Sequence, residues 1–457
     1  MGKLVPENCV APQNFALELL TGLLLTGSIV CGSMSRMEAN AEKVWDVAVI
    51  GGGPAGMMTA GRAAERGAKV LLIEKNDILG KKLLITGGGR CNVTNAEFDV
   101  RTFLSKFKRN DKFLFSAFSQ FEVKDAFDFF HLRKMDTKIE AEKRAFPKSE
   151  KAESVWNVLV EYLRAGNVTV RSNSPVKELV AKNGEVVKII LADKTEIRAR
   201  SYVVATGGKS RPDTGSTGDG FAWLRTLGHT VVEPDPALVP IAMKDAWVRR
   251  LSGVTLPKVK LTVLQNGVKQ EVKKGKILFT HFGVSGPTII NMSKDVGELL
   301  KYGEVVLSLD LLPELDYGML NTKLQEVFKE EHTKKFKNSL KSLLPSSLAP
   351  IIVELSHINP DTKCNSISRE ERLRLVKLLK DIPLSVKGLL GAEKAIVTSG
   401  GVVLSEVDFK TMRSRLYPNL YLVGDILNID RPSGGYSLQL CWTTGFVAGS
   451  EAGKKSV

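Results

Sequence analysis

Near the start of the chain, Gly51-Gly52-Gly53-Pro54-Ala55-Gly56 sets three glycines at the spacing G-x-G-x-x-G. The run follows a short apolar stretch, 43–50, that reads as a buried parallel strand. It precedes Pro54–Arg66, where Ala55, Met58, Ala60, Ala63 and Ala64 supply small packing residues of a helix that Gly67 caps. A second apolar run, Lys69–Glu74, completes a β-α-β unit and ends on an acid. In that context the spacing has a chemical use. Gly51 permits a tight turn, Gly53 lets backbone approach a diphosphate, and Gly56 allows close helix–strand packing. The free backbone N–H groups at the helix start, from Ala55 onward because Pro54 has none, attract the anion. Glu74 would accept hydrogen bonds from ribose hydroxyls. The unit is built to hold a dinucleotide.

Far away, Leu422-Val423-Gly424-Asp425 ends another predicted strand. Gly424 keeps the backbone close, and Asp425 can reach the ribitol of a flavin. The pair of motifs points to FAD rather than NAD as the tightly held cofactor. Thr206-Gly207-Gly208 ends a third strand with residues small enough to lie against a dinucleotide, with Asp219-Gly220 shortly after. In Gly87-Gly88-Gly89-Arg90-Cys91-Asn92 the backbone would approach something flat or phosphorylated, leaving Arg90 and Asn92 to hydrogen-bond it. A helix starting near Ser433-Gly434-Gly435 would aim its positive end at the flavin edge that becomes anionic on reduction. His281 reads equally as an acid–base group or as a structural histidine at a strand end. Cys91 reads as a small buried residue.

No second G-x-G-x-x-G stands between a strand and a helix. Either NAD(P)H docks transiently on the flavin through other contacts, or the substrate reduces the flavin directly and oxygen reoxidises it. With no C-x-x-C among the five cysteines, a disulfide reductase, a disulfide framework and a zinc ribbon are all excluded, and no metal site is expected. That usage suits an intracellular reducing compartment, cytoplasm or plastid.

The elements that position these residues follow from local pattern. Residues 113–130 space phenylalanines as a core-facing helix pair. Residues 168–199 read as a β-meander turning at Asn183-Gly184 and Asp193-Lys194, and 200–205 as a buried strand. Prolines 234, 236 and 240 mark a break. Beyond it, 258–265 and 268–273 alternate around Asn266-Gly267, the strongest hairpin signal in the chain. Its Lys258, Lys260, Lys269 and Lys273 read as a solubilising face. Residues 315–390 read as predominantly helical, 420–423 as a strand and 434 onward as a helix, with Gly445, Ala448, Gly449 and Ala452 as a small-residue packing face.

The 457 residues suit two or three domains, and 43% hydrophobic with 25% charged residues is ordinary for a globular chain. The net charge of +15 suits a nucleic-acid binder or a site for anionic cofactors, but the excess is scattered and reads as a solvated basic surface. The partner expected is a small-molecule substrate rather than nucleic acid or a membrane. Residues 1–43 hold an apolar stretch of about 17 residues, at the lower limit for a membrane span. With only Lys3 as early positive charge they fit a secretory signal poorly, and Glu7 and Glu18 count against a transit peptide; they read as a dispensable extension, with targeting and membrane anchoring as the alternatives.

The motifs together resemble the BaiN-like flavoprotein family, the aminoacetone oxidase family of FAD-binding enzymes. The resemblance spans 44–453 through GGGPAG (51–56), GKKLLITGGGRCNVTN (80–95), ATGG (205–208), THFGVSGP (280–287), VTSGGV (397–402) and LYLVGDILNIDRPSGGYSLQLCWTTG (420–445). It implies an FAD-dependent oxidoreductase with an α/β fold: a Rossmann-type FAD-binding domain of the glutathione-reductase type (44–232 and 396–457), an inserted β-rich domain (233–310) and an inserted helical domain (311–395). It places Gly51, Gly53, Gly56 and Glu74 on the ADP half, with backbone around Val176 meeting adenine and Lys75 also binding the cofactor. Gly424 and Asp425 go to the ribitol and diphosphate. Lys82, Thr86, Gly87, Arg90, Cys91, Asn92, Gly434, Gly435 and Tyr436 complete the cofactor set. A substrate cleft is expected between Arg90–Asn92 and His281–Pro287, with Arg90 drawing in an anion and His281 exchanging a proton.

Overall fold

A strand apolar on both faces must be covered on both faces, and Val44–Ile50 (β1) is buried at Trp45 and throughout Val47–Ile50. In the computed structural model, which describes residues 44–395 and 397–454, β1 is the centre of the main sheet. The extension 1–43 lies outside the described residues. After α1 (Pro54–Glu65), β2 (Val70–Ile73) pairs with β1 in parallel, and after α2 (Ala152–Ala165), β3 (Thr169–Arg171) pairs with β2. The meander β4 (Val176–Lys182), β5 (Glu185–Leu191), β6 (Glu196–Val204) brings β6 back beside β1, also in parallel. Asn183 and Gly184 both have positive φ, as a two-residue hairpin turn requires. The aromatic stretch forms two helices, Asp111–Phe118 and Val123–Leu132; Phe118, Phe121 and Phe130 are buried while Phe113 and Phe115 stay exposed.

The chain leaves this sheet along β7 (Val231–Ala237). It then builds a closed antiparallel barrel from β8 (Ile241–Met243), β9 (Thr255–Gln265), β10 (Val268–Thr280), β11 (Gly283–Ser285), β12 (Val305–Asp310) and β13 (Ile382–Leu389). Helix α3 (Pro287–Leu300) packs between β11 and β12 in sequence. Helices Tyr317–Glu330, Ala349–Ser356 and Arg369–Lys380 share one core with the barrel. The stretch 315–390 therefore ends in a strand rather than a helix. Ile382, Leu384 and Val386 alternate inward, and Pro383 cannot continue a helix. β14 (Val397–Val402) returns antiparallel to β7, then β15 (Leu420–Leu422) joins β6 in parallel. The last helix, α4 (Tyr436–Ala452), lies across α1. A Cβ on Gly445 would stand 2.6 Å from the Ala55 carbonyl oxygen, and one on Gly449 2.5 Å from that of Thr59.

Below the β7–β14 ribbon, His229 is buried. Its Nδ1 lies 2.9 Å from Glu406 Oε2 and its Nε2 3.1 Å from Ser414 Oγ. Burial lowers its pKa below the ordinary 6.5, with Glu406 opposing. The unfolded chain therefore binds this proton more readily, and the contribution of His229 to stability is lost as pH falls below about 6.5. Thermal unfolding between pH 8 and pH 5 should show Tm falling below that point, with the fall reduced in His229→Gln. An identical acid slope in the variant would remove His229 from the account.

Candidate functional site

The C-terminal ends of β1, β2 and β6 and the start of α1 open onto one cavity, with Leu438 and Cys441 of α4 on its wall. Of the residues singled out from the sequence, Gly51, Gly53, Pro54, Ala55, Glu74, Lys75, Lys82, Thr86, Val176, Thr206, Gly207 and Asp425 line it. α1 begins at Gly53 without a side-chain cap, and a Cβ at Gly53 would meet nothing within 4 Å. This is the open approach and free donor set that a diphosphate uses. Glu74 is buried and accepts from Gly52 N at 2.7 Å, Asn76 N at 2.8 Å and Asn76 Nδ2 at 2.7 Å. A carboxylate has about four acceptor positions, so one remains for a ribose hydroxyl. Thr206 Oγ1 is buried without a hydrogen-bond partner among the described residues, an orphan that a ligand would satisfy.

The charged groups of the wall are held in place. Asp425 is paired with the fully buried guanidinium of Arg431, which also donates to Ile429 O at 2.7 Å and Ser437 Oγ at 2.9 Å. Lys75 donates to Thr217 Oγ1 at 2.6 Å and Asp219 Oδ2 at 2.8 Å. Lys82 donates to Ser210 Oγ at 2.6 Å; burial lowers its pKa while Asp425 opposes the shift. A bound anion would favour its charged form. The uncapped helix, the orphan hydroxyl, the spare acceptor and the buried cation all fit a dinucleotide.

The other expected residues lie off the cavity. Gly56 serves packing, since a Cβ there would stand 1.9 Å from Gly51 O. Gly208 lies against Thr398, and Gly424 against Ala55. Gly87 takes a left-handed turn that leads into Arg90. Arg90 pairs with Glu140 at 2.5 Å and with Glu150, and stacks on Phe146 at 4.1 Å, so its charge is already compensated. Cys91 is fully buried and its thiol is pushed up to about 12 by burial. Asn92, with its amide turned to satisfy both ends, donates to Thr94 O and Ala145 O and accepts from Gly435 N at 3.0 Å. Asn95 donates to Gly434 O at 3.1 Å, and Trp442 Nε1 to Val93 O at 2.9 Å. A Cβ at Gly435 would stand 2.2 Å from the Thr94 carbonyl carbon. The close backbone approach foreseen at Gly87–Asn95 is thus made in part against the start of α4. Tyr436 packs on Phe103 and Phe107. His281 is exposed on the β10–β11 turn, edge-on to Phe282, and does not line the cavity.

Sequence reasoning missed Arg431, Asn76, Thr217 and Cys441. None belongs to a spacing rule, and only the proximity of Arg431 to Gly434-Gly435 could have drawn notice. It also missed how the insertion meets the loop before α4. Lys294 of α3 donates to Asp430 Oδ2 at 2.5 Å and Ser399 Oγ at 2.8 Å, and Asn291 accepts from Ser433 N at 2.9 Å.

The model of the HI0933-like protein Rossmann domain matches residues 45–451. The chain belongs to the HI0933-like family. This HI0933-like chain is 30% identical over 413 residues to a 3-dehydro-bile acid delta(4,6)-reductase of Clostridium scindens, covering 90% of this chain and 99% of that protein. It is 31% identical over 410 residues to a ribosomal RNA dihydrouridine synthase of Escherichia coli, covering 89% and 98%. A flavocytochrome c3 fumarate reductase shares the fold at a TM-score of 0.51 and 16% identity, over 90% of this chain and 78% of that one. The BaiN-like resemblance of the motifs and the family agree: the chain is an FAD-dependent oxidoreductase on a Rossmann-type FAD-binding domain. Among the described residues no helix is long and apolar enough to cross a membrane.

Glu74→Gln should weaken FAD binding by about 1.5–3 kcal/mol, roughly ten- to a hundredfold in Kd, with unchanged circular dichroism. Release of flavin fluorescence on dilution measures this, and an unchanged Kd would place the ribose elsewhere. Cys91, buried and protonated, should resist iodoacetamide in the native protein at pH 8 and react only after denaturation. Labelling of Cys91 in the native state, read by peptide mass mapping, would contradict its placement.

Proposed function

We propose that this oxidoreductase reduces a carbon–carbon double bond conjugated to a carbonyl on a small molecule, by hydride transfer through the flavin. The observation that carries the reading is the full-length similarity to two reductive enzymes with different substrates. A delta(4,6)-reductase and a dihydrouridine synthase have one chemical step in common, as their names describe it: addition of two hydrogens across a double bond. Bound FAD supplies the hydride chemistry. The chain's own residues hold and tune it: the start of α1, Glu74, Thr206 and Asp425 bind, and the uncapped start of α4 offers free N–H groups to negative charge. The β4–β6 meander beside the parallel sheet supports assignment to the glutathione-reductase type. NAD(P)H serves as a transient donor docked without a Rossmann motif of its own. Arg90 takes no part, because Glu140 and Glu150 occupy it. His281, exposed at the barrel end, supplies the proton that accompanies hydride.

A second reading keeps the reaction and changes the substrate to the uracil ring of an RNA. It is favoured by the net charge of +15.

The test is anaerobic. The purified protein is reduced with NADH or NADPH and mixed with a panel of conjugated enones, and flavin reoxidation is followed by absorbance. Reoxidation by an enone with a saturated product is expected; reduction of the flavin by amines, with no enone turnover, would sink the proposal. His281→Ala should retain FAD and slow reoxidation roughly a hundredfold. Unaltered rates in that variant would leave the proton to another group.

A further inference from the structure

The hairpin of β9 and β10 holds six lysines against one glutamate, a third of the chain's net charge of +15 in 26 residues. Register places Lys260 of β9 directly opposite Lys274 of β10. Like charges so placed destabilise a bare strand pair. Lys258 and Lys276 lie in the neighbouring bulge, both exposed, and with Lys274 they have no ion-pair partner among the described residues. Among the described residues Lys260 reaches only Asp310 at 3.2 Å, a buried carboxylate that already serves the buried Lys380 at 2.8 Å. Lysines that protect a sheet edge account for β10, whose 268–277 stretch pairs with no second strand among the described residues. They do not account for Lys260, since β9 is flanked by β10 and β12 at that point.

We propose that this lysine face of the barrel is a docking surface for the phosphodiester backbone of RNA. The inference rests on the second reading of the substrate and supplies that reading with a binding surface. Lysines i and i+2 on a strand stand about 6.7 Å apart, so two adjacent strands make a flat double row of positive charge. Ammonium groups suit phosphates as point charges and read no base, which leaves sequence choice to other contacts. Register leaves Val272 as the one exposed aliphatic side chain beside this lysine cluster, and no aromatic residue stands in the hairpin's exposed positions, whereas a membrane-bound surface inserts several such side chains between lipids.

The experiment uses the FAD-loaded full chain, a labelled RNA stem-loop and fluorescence anisotropy over a range of salt. Binding should weaken steeply with salt. In Lys258→Gln/Lys274→Gln the slope of log K against log salt should become shallower by about 1.4–1.8, two phosphate contacts' worth. Lys258→Arg/Lys274→Arg should keep the wild-type slope. Should the double variant lose its flavin spectrum, Lys274→Gln alone should still make the slope shallower by about 0.7–0.9. No RNA binding, a slope indifferent to these lysines, or tighter binding to polyglutamate or to phosphatidylglycerol vesicles would each overturn the proposal. Uracil reduction is read separately by mass. Lysine-dependent RNA binding without reduced uracil upholds the surface and retires the RNA-substrate reading. Reduced uracil with a lysine-independent slope does the reverse.

Discussion

The site depends on how near α4 can lie to α1. Both helices start without a side-chain cap, one below the dinucleotide cavity and one beside the loop that carries Asp425 and Arg431. Their backbones touch through Gly445 and Gly449, where any side chain would strike the carbonyls of α1. A methyl group there would have to push the helices apart, and in a core at crystal-like density little around them could yield. The free N–H groups of two helices are thereby held on one side of the molecule. That is an electrostatic arrangement suited to a long anionic cofactor.

A second set of contacts fixes where α4 begins. Asn92, Asn95, Thr94 and the Val93 carbonyl are each bonded to its first turns or to the glycines before it. These are buried polar bonds, costly to leave unmade, so they specify one position for the helix start. From the other side, Lys294 and Asn291 of the barrel's α3 hold the loop 430–433. The inserted barrel therefore contributes to the flavin domain's own geometry, although the two have separate cores.

The charges near the cavity follow one logic. Arg431 is fully buried and is tolerated because Asp425, Ser437 and a carbonyl take its donors. Lys82 is held by Ser210 and is short of negative charge, which an anionic ligand would supply. Arg90, by contrast, is balanced by two carboxylates and a ring face and has no such deficit. Burial and partner count, more than residue type, set the electrostatic state of these cations.

The sequence alone determined what depends on near neighbours. The β-α-β unit, its G-x-G-x-x-G turn, the acid ending β2, the Asn-Gly hairpins and the glycine face of α4 all arise from spacing within a few residues. Backbone sterics and helix or strand periodicity read such spacing directly. Even the late strand β13 was legible in its alternation, though the leucine-rich helices before it masked the change of period. Only the tertiary structure decided which partners Arg90 and Asn92 meet. The partners of Arg90 stand 50 and 60 residues away, and Asn92 meets Gly435 from more than 340 residues away. A glycine-rich backbone is called for equally by a ligand and by a helix packed against it. Which of the two fills that space depends on long-range packing, and local spacing holds no record of it.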